Sequence, residues 1–233
     1  MTHPDSSSGS ASSSSSSSTD VSRGSATVPR GLLVVLAGPS GVGKTSIARG
    51  LIEAEPETYG FSVSATTRPM RSGEVDGVDY FFVDRNRFES WIAEGRFVEH
   101  ARYQDHYYGT LADQVEQEIQ AGRVLLLDID VQGMQQLLGD DRWPLLTIFV
   151  LPPSFEELAE RLRGRGTEGP EVVAGRILRA RQELTLAPLF DHQVVNNDLE
   201  AARQEVRSLI ESARESHHRS TEGPPPQQPP HDS

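Results

Sequence analysis

The chain has 233 residues, of which 36% are hydrophobic and none is cysteine, and a formal net charge of -12 at pH 7. That length suits one domain of moderate size with smaller inserted pieces, and the acidic balance argues against a binder of nucleic-acid backbones, which would show a basic face. The lack of cysteine excludes disulfides, thiolate catalysis and zinc–thiolate sites, and no stretch approaches the roughly 18 apolar residues that span a bilayer, so the expectation is a cytoplasmic protein with neither nucleic acid nor membrane as partner.

Thirteen of the first 30 residues are serine. Such a stretch buries too little apolar surface to offset its ordering entropy, and residues 1–29 are expected to form a disordered tail. Residues 215–233 contain Pro224, Pro225, Pro226, Pro229 and Pro230 and read as a second, extended tail. Docking or modification could use either end, but composition favours plain tails.

Between them, residues 30–214 alternate apolar runs with helical spacing. Residues 32–37 form an apolar run ending in a Gly-rich turn, which reads as a buried strand before a helix at 45–53. Residues 123–128 and 145–151 are two more such runs, followed by helices at 131–138 and 154–162. A short strand at 192–195 and a last helix at 199–214 close the unit. Strands apolar on both faces and alternating with helices predict an α/β fold, a parallel sheet covered on both sides. The stretch 61–110 differs: short strands at 80–83 and 97–103 flank a helix at 85–94, which reads as a small inserted subdomain of about 62–112. A glycine-rich break at 164–169 separates two Arg-rich helices and reads as a hinge in a lid of about 155–178.

Gly38-Pro39-Ser40-Gly41-Val42-Gly43-Lys44-Thr45 fits G-x-x-x-x-G-K-[ST] in full. Glycines let backbone N–H groups approach one phosphate, and a helix starting near Lys44 adds its positive end. Lys44 would reach the β- and γ-phosphates and the Thr45 hydroxyl would ligate Mg²⁺. The flanking strand and helix are the context this mechanism needs. Asp128, at the end of the 123–128 run, would hold the metal through water, although an Asp there also suits a strand-end turn. Asp130, two residues on, would face the same cavity if the strand persists. A phosphate loop alone says only that a nucleotide is bound.

Arg68 and Arg71 flank a proline and could clamp a dianion, or they could be solvated surface charge. Tyr80, Tyr107 and Tyr108 offer hydroxyls in the same insert, or serve packing. Glu99 taken alone reads as an exposed carboxylate.

The strings GPSGVGKT, SATTRPMRSGEVDGVDY, FVEHA, YYGT, LLLDIDVQG, LPPS, RLRGRGTE and VVNND follow in this order. Together they resemble the guanylate kinase family over about residues 31–214. The resemblance implies a P-loop nucleoside-monophosphate-kinase fold, with a GMP-binding insert, a helical lid, and transfer of a phosphoryl group from ATP to GMP with Mg²⁺. It implies that Arg68, Arg71, Tyr80 and Tyr108 hold the GMP phosphate, and that Ser64, Glu99, Thr110 and Asp130 surround guanine. It implies that Arg161, Arg165 and Arg176 close over the ATP phosphates, with Asn196 near the adenine. Guanine offers N1–H and N2–H₂ donors on one edge, and a carboxylate accepts only, so Glu99 suits guanine and opposes adenine.

A phosphate oxygen of GMP is already ionised at neutral pH, so no general base is expected and none of the histidines receives a role. Two other readings compete: a phosphotransferase for another phosphorylated acceptor, and an inactive module that binds phosphorylated proteins. Retention of Glu99, Thr110 and Asp130 argues against the first, and the intact Lys44 and Thr45 against the second. No guanine-specificity motif of a GTPase switch is found.

Overall fold

The structure is a computed structural model, and residues 31–103, 105–129, 131–140, 142–164 and 170–221 of it are described. In chain order the elements are β1 (Leu32–Ala37), α1 (Lys44–Ala54), β2 (Tyr59–Phe61), β3 (Ala65–Thr66), β4 (Phe81–Phe82), α2 (Arg85–Ala93), β5 (Phe97–Tyr103), β6 (His106–Leu111), α3 (Ala112–Gln120), β7 (Val124–Leu127), α4 (Val131–Leu137), β8 (Leu145–Leu151), α5 (Phe155–Gly164), α6 (Pro170–Leu184), a 3₁₀ turn (Ala187–Leu189), β9 (His192–Val195) and α7 (Leu199–Thr221).

Five strands form a parallel sheet in the order β2-β7-β1-β8-β9. The central strand β1 is buried throughout, because its side chains alternate into two cores. Leu32, Val34 and Leu36 pack with Ile47 and Leu51 of α1 and with Val206 and Ile210 of α7. Leu33 and Val35 pack with Val115 and Ile119 of α3 and with Met134 and Leu137 of α4. Each such side chain contributes roughly 1.5–3 kcal/mol on leaving water, which is why a strand without polar–apolar alternation is stable only here, between two helical layers.

The insert is a second sheet in the order β4-β3-β6-β5, with β3 and β4 parallel and the other pairs antiparallel. Helix α2 closes it. Asp84 caps that helix by accepting from the Arg87 N–H at 2.8 Å, and Phe88 stacks between Phe97 and Tyr107.

Most expected elements appear within a residue or two. The strand expected at 80–83 is only Phe81–Phe82, and β2, β3, β6 and α3 lie where no element was expected. The last helix runs to Thr221 and not 214. Nothing in residues 215–221 stops it, for the first breakers, Gly223 and Pro224, come later. Residues 1–30 and 222–233, where the rest of both expected tails falls, lie outside the described residues. Among the described residues no helix is long and apolar enough to cross a membrane.

Candidate active site

The phosphate loop joins β1 to α1 at the carboxyl end of the central strand. Its neighbours are β7 on one side and β8 on the other, the kind of crevice in which open α/β sheets hold ligands. Gly38 and Gly43 have φ of 134° and 105°. A Cβ at Gly38 would strike the Val150 carbonyl, and one at Gly43 would strike Asn196 Nδ2. Only glycine lets the loop lie this close to β8 and to the residue after β9. Helix α1 then starts at Lys44 and aims its positive end into the loop.

Lys44 Nζ donates to the Gly38 carbonyl at 2.8 Å and lies 3.6 Å from Asp128 Oδ1. The Thr45 hydroxyl donates to Asp128 Oδ2 at 3.5 Å. The register pairs Val35 with Leu127, and this carries Asp128 to the mouth of the loop. The strand-end aspartate thus faces the lysine and threonine, as a metal role requires. A hydroxyl beside a carboxylate is a hard-oxygen donor set that suits Mg²⁺, which takes one or two protein oxygens and completes its shell with water and phosphate. Among the described residues no group of three or more His, Asp or Glu would hold a metal unaided.

Asn196, set near the adenine by the resemblance, is bonded to the phosphate loop. It is 6% exposed, its N–H donates to the Leu151 carbonyl, and its Nδ2 donates to the Val42 carbonyl at 2.7 Å. The side-chain amide props the phosphate loop from below.

In the insert, Arg68, Tyr80 and Tyr108 come together. The Arg68 guanidinium lies 5.3 Å from the Tyr80 ring and 5.5 Å from that of Phe82, and the Tyr80 and Tyr108 rings meet edge to face at 6.1 Å. Burial pushes the Tyr80 hydroxyl above its ordinary pKa, with Tyr108 and the charge of Asp128 among the smaller causes. Tyr80 is therefore a neutral donor at physiological pH, and it feels the charge of Asp128. Tyr107 faces the other way. It stacks on Phe88 and lies under Arg85, so its part is packing.

Arg68 is not solvated surface charge. Its Nη1 and Nη2 donate to Glu74 Oε2 and Oε1 at 2.9 and 2.8 Å, and Nη1 also donates to the Pro69 carbonyl. The Arg71 N–H donates to Glu74 Oε2 at 2.7 Å, while the Arg71 side chain is exposed. Arg68 foremost, then the Arg71 N–H, lowers the Glu74 carboxyl pKa to about 2. Sequence reasoning missed Glu74. Its only signal was an acid three residues after Arg71 in the same turn-rich string.

Glu99 reverses the exposed reading: it is 4% exposed, and Thr110, itself fully buried, donates its hydroxyl to Oε1 at 2.6 Å. The ladder pairs Phe97 with Leu111 but Glu99 with Thr110, a register shift that re-aims the strand just before the carboxylate. Ser64 precedes Ala65, whose partner on β6 is Gly109, so it lies next along the ladder towards Thr110.

The lid residues divide. Arg176 Nη2 donates to Ser40 Oγ at 2.8 Å, so α6 touches the phosphate loop. Arg161 is exposed and lies 3.5 Å from Glu157 on its own helix. Its neighbour Leu162 packs under Gly41. Asp130 and Arg165 lie outside the described residues, as do Gly166 and Gly169 of the expected hinge.

Residues 30–213 match the family model described as guanylate kinase. The chain is 48% identical over 181 residues to a guanylate kinase of Nostoc sp., covering 77% of this chain and 89% of that one. It is 50% identical over 182 residues to a guanylate kinase of Gloeobacter violaceus, covering 78% and 88%. The crystal structure of guanylate kinase from Anaplasma phagocytophilum aligns with a TM-score of 0.64 at 31% identity, covering 80% of this chain and 87% of that one.

Proposed function

The chain belongs to the guanylate kinase family and phosphorylates GMP to GDP at the expense of ATP, and on that premise we propose how its residues divide the work. The observation that carries the assignment is the buried Glu99–Thr110 pair beside the Arg68–Tyr80–Tyr108 cluster. One offers an acceptor-only carboxylate to the N1–H and N2–H₂ edge of guanine, with Ser64 and Asp130 completing the surround. The other offers cationic and neutral donors to a phosphate dianion, with Arg71 beside it.

The ATP phosphates lie in the loop from Gly38 to Thr45, over Lys44, under a lid that contributes Arg161, Arg165 and Arg176. Asn196 serves ATP by holding the loop. The donor pair Thr45 and Asp128 supports Mg²⁺ as the metal, with Asp128 acting through water. Bound there, Mg²⁺ would offset charge on the ATP phosphates.

The nucleophile is a GMP phosphate oxygen, ionised before it binds, so catalysis is positioning plus charge stabilisation. Arg68 and the two tyrosines orient that oxygen towards the γ-phosphate. Lys44 and the lid arginines offset the negative charge of the transferring group. Closure of the lid keeps water, the competing acceptor, away. We assign the activity to the unit from residue 30 to the end of α7 and its setting to the cytoplasm. An acidic, cysteine-free chain acting on two soluble nucleotides supports that setting.

The test is ADP release with ATP and Mg²⁺, offering GMP, AMP, UMP and CMP in parallel. Turnover with GMP alone is expected. Turnover with another of the four would sink the assignment of Glu99 to the guanine edge.

A further inference from the structure

The carboxylate of Glu99 lies against the face of α4. β5 is an edge strand of the insert sheet, with β6 on one side only. On the other side the Gln136 side chain stands in for a missing strand: its Oε1 accepts from the His100 N–H at 3.2 Å and its Nε2 donates to the His100 carbonyl at 2.7 Å. His100 is the residue after Glu99. One turn earlier on the same helix is Gly133. A Cβ there would lie 2.5 Å from Glu99 Oε2, 3.1 Å from Glu99 Cδ and 3.4 Å from Ile129 Cδ1.

At such a distance something must move, and the surroundings decide what. The helix cannot withdraw, because Met134 and Leu137 are fully buried in the core and Gln136 is bonded to β5. The strand cannot withdraw, because it is paired with β6 through Glu99 itself. The group left to move is the carboxylate, which would have to leave the Thr110 hydroxyl. A glycine inside a helix costs about 0.5–1 kcal/mol relative to alanine. Gly133 has no left-handed φ that would call for glycine, so the backbone gives no reason for it. The room that Glu99 takes does.

Resting on the reading of Glu99 as the acceptor for guanine, we propose that Gly133 is a specificity-determining residue: by lacking a side chain it seats the Glu99 carboxylate against α4, with Gln136 holding helix and strand in register. It is a positioning residue and touches no substrate. Its size sets where the acceptor for the N1–H and N2–H₂ edge stands.

The experiment is steady-state kinetics of Gly133→Ala, Glu99→Gln, Glu99→Asp and the double variant Gly133→Ala/Glu99→Asp, with GMP and IMP as acceptors and with thermal denaturation alongside. A carboxylate displaced by about an ångström costs up to about 100-fold. Gly133→Ala is expected to raise KM for GMP by roughly 10–100-fold, to leave KM for ATP within about twofold, and to shrink the preference for GMP over IMP, which lacks the N2 amine. Glu99→Asp draws the carboxylate back by one methylene and makes room for the new Cβ. The double variant is therefore expected to lose less than the product of the two single losses. A merely structural role for Gly133 would lower Tm without moving the ratio of GMP to IMP. Should Gly133→Ala fold poorly, Gln136→Ala is expected to give the same split between the two KM values by freeing β5 from α4. Unchanged KM for GMP in Gly133→Ala, with a raised KM in Glu99→Gln, overturns the seat and leaves the guanine reading intact. Unchanged KM in Glu99→Gln overturns both.

Discussion

Glu74 shows how one carboxylate can fix the orientation of a neighbouring guanidinium. Its carboxyl is held at about 2, first by Arg68 and then by the Arg71 N–H, against an ordinary value near 4.5. A folded-state pKa below the unfolded one stabilises the fold at pH above about 4.5, and that contribution fades as pH falls towards 2. Between pH 5 and 8 the pair is therefore constant, and Arg68 keeps Glu74 on its Nη1 and Nη2 atoms throughout. The group expected to shape the profile in that window is the phosphate of GMP, which gains a proton near pH 6. The expected profile of kcat/KM for GMP falls below about pH 6 and keeps its shape in Glu74→Gln. The level, however, drops by roughly tenfold, because a guanidinium without its carboxylate loses orientation. An inflection that moved with Glu74→Gln would show the carboxyl titrating in the working range and sink this account.

At the scale of elements, the loop is held by the residue that follows β9. Asn196 donates to the carbonyl of Val42, a loop residue that is fully buried. Asn196→Ala leaves that carbonyl without a partner at a cost of about 1–3 kcal/mol, a fall in Tm of about 2–4 °C for each kcal/mol in a domain of this size. KM for ATP should rise and KM for GMP should not, as a thermal melt and paired titrations would reveal. Equal rises in both would mean that the brace serves the whole domain. The sequence announced β1, β7 and β8 because their runs are apolar on both faces, which only a covered sheet tolerates. It announced the phosphate loop because glycine spacing is a backbone requirement. It hid β3 and β4, two residues each, because such strands exist by pairing and not by pattern. The brace of Asn196 and the carboxylate of Glu74 were hidden for a related reason: each is defined by its partner, and partners 154 and 6 residues apart leave no periodicity. Glu99 taken alone reads as exposed, since a buried carboxylate depends on a hydroxyl that the ladder brings across from β6.

At the scale of the whole molecule, α6 contacts both the phosphate loop and the insert. Arg176 bonds to Ser40 of the phosphate loop. One turn on, Arg179 bonds to the Tyr103 hydroxyl at the end of β5 and stacks over its ring at 4.8 Å. Ala180 of the same helix packs on Leu158 and Leu162 of α5, so the two lid helices share a small core and respond together. Tyr103 belongs to the insert that would close on GMP, and Ser40 to the loop that would hold ATP. A helix bonded to both transmits closure of one to the other, provided that the Arg179–Tyr103 contact persists or tightens as the insert moves. The linkage must be reciprocal, since a coupling free energy belongs to the pair of ligands and not to either one. In Arg179→Gln each nucleotide alone should bind within about twofold of the parent, while the factor by which a non-hydrolysable ATP analogue tightens GMP, on the order of 5–150-fold where sites are coupled, should fall towards one. Calorimetric titration of GMP with and without the analogue measures that factor directly. A factor that survives the substitution would make Arg179 a surface pair with an aromatic partner, and coupling would then have to pass through the β5–α4 junction, where Gln136 already joins insert to core.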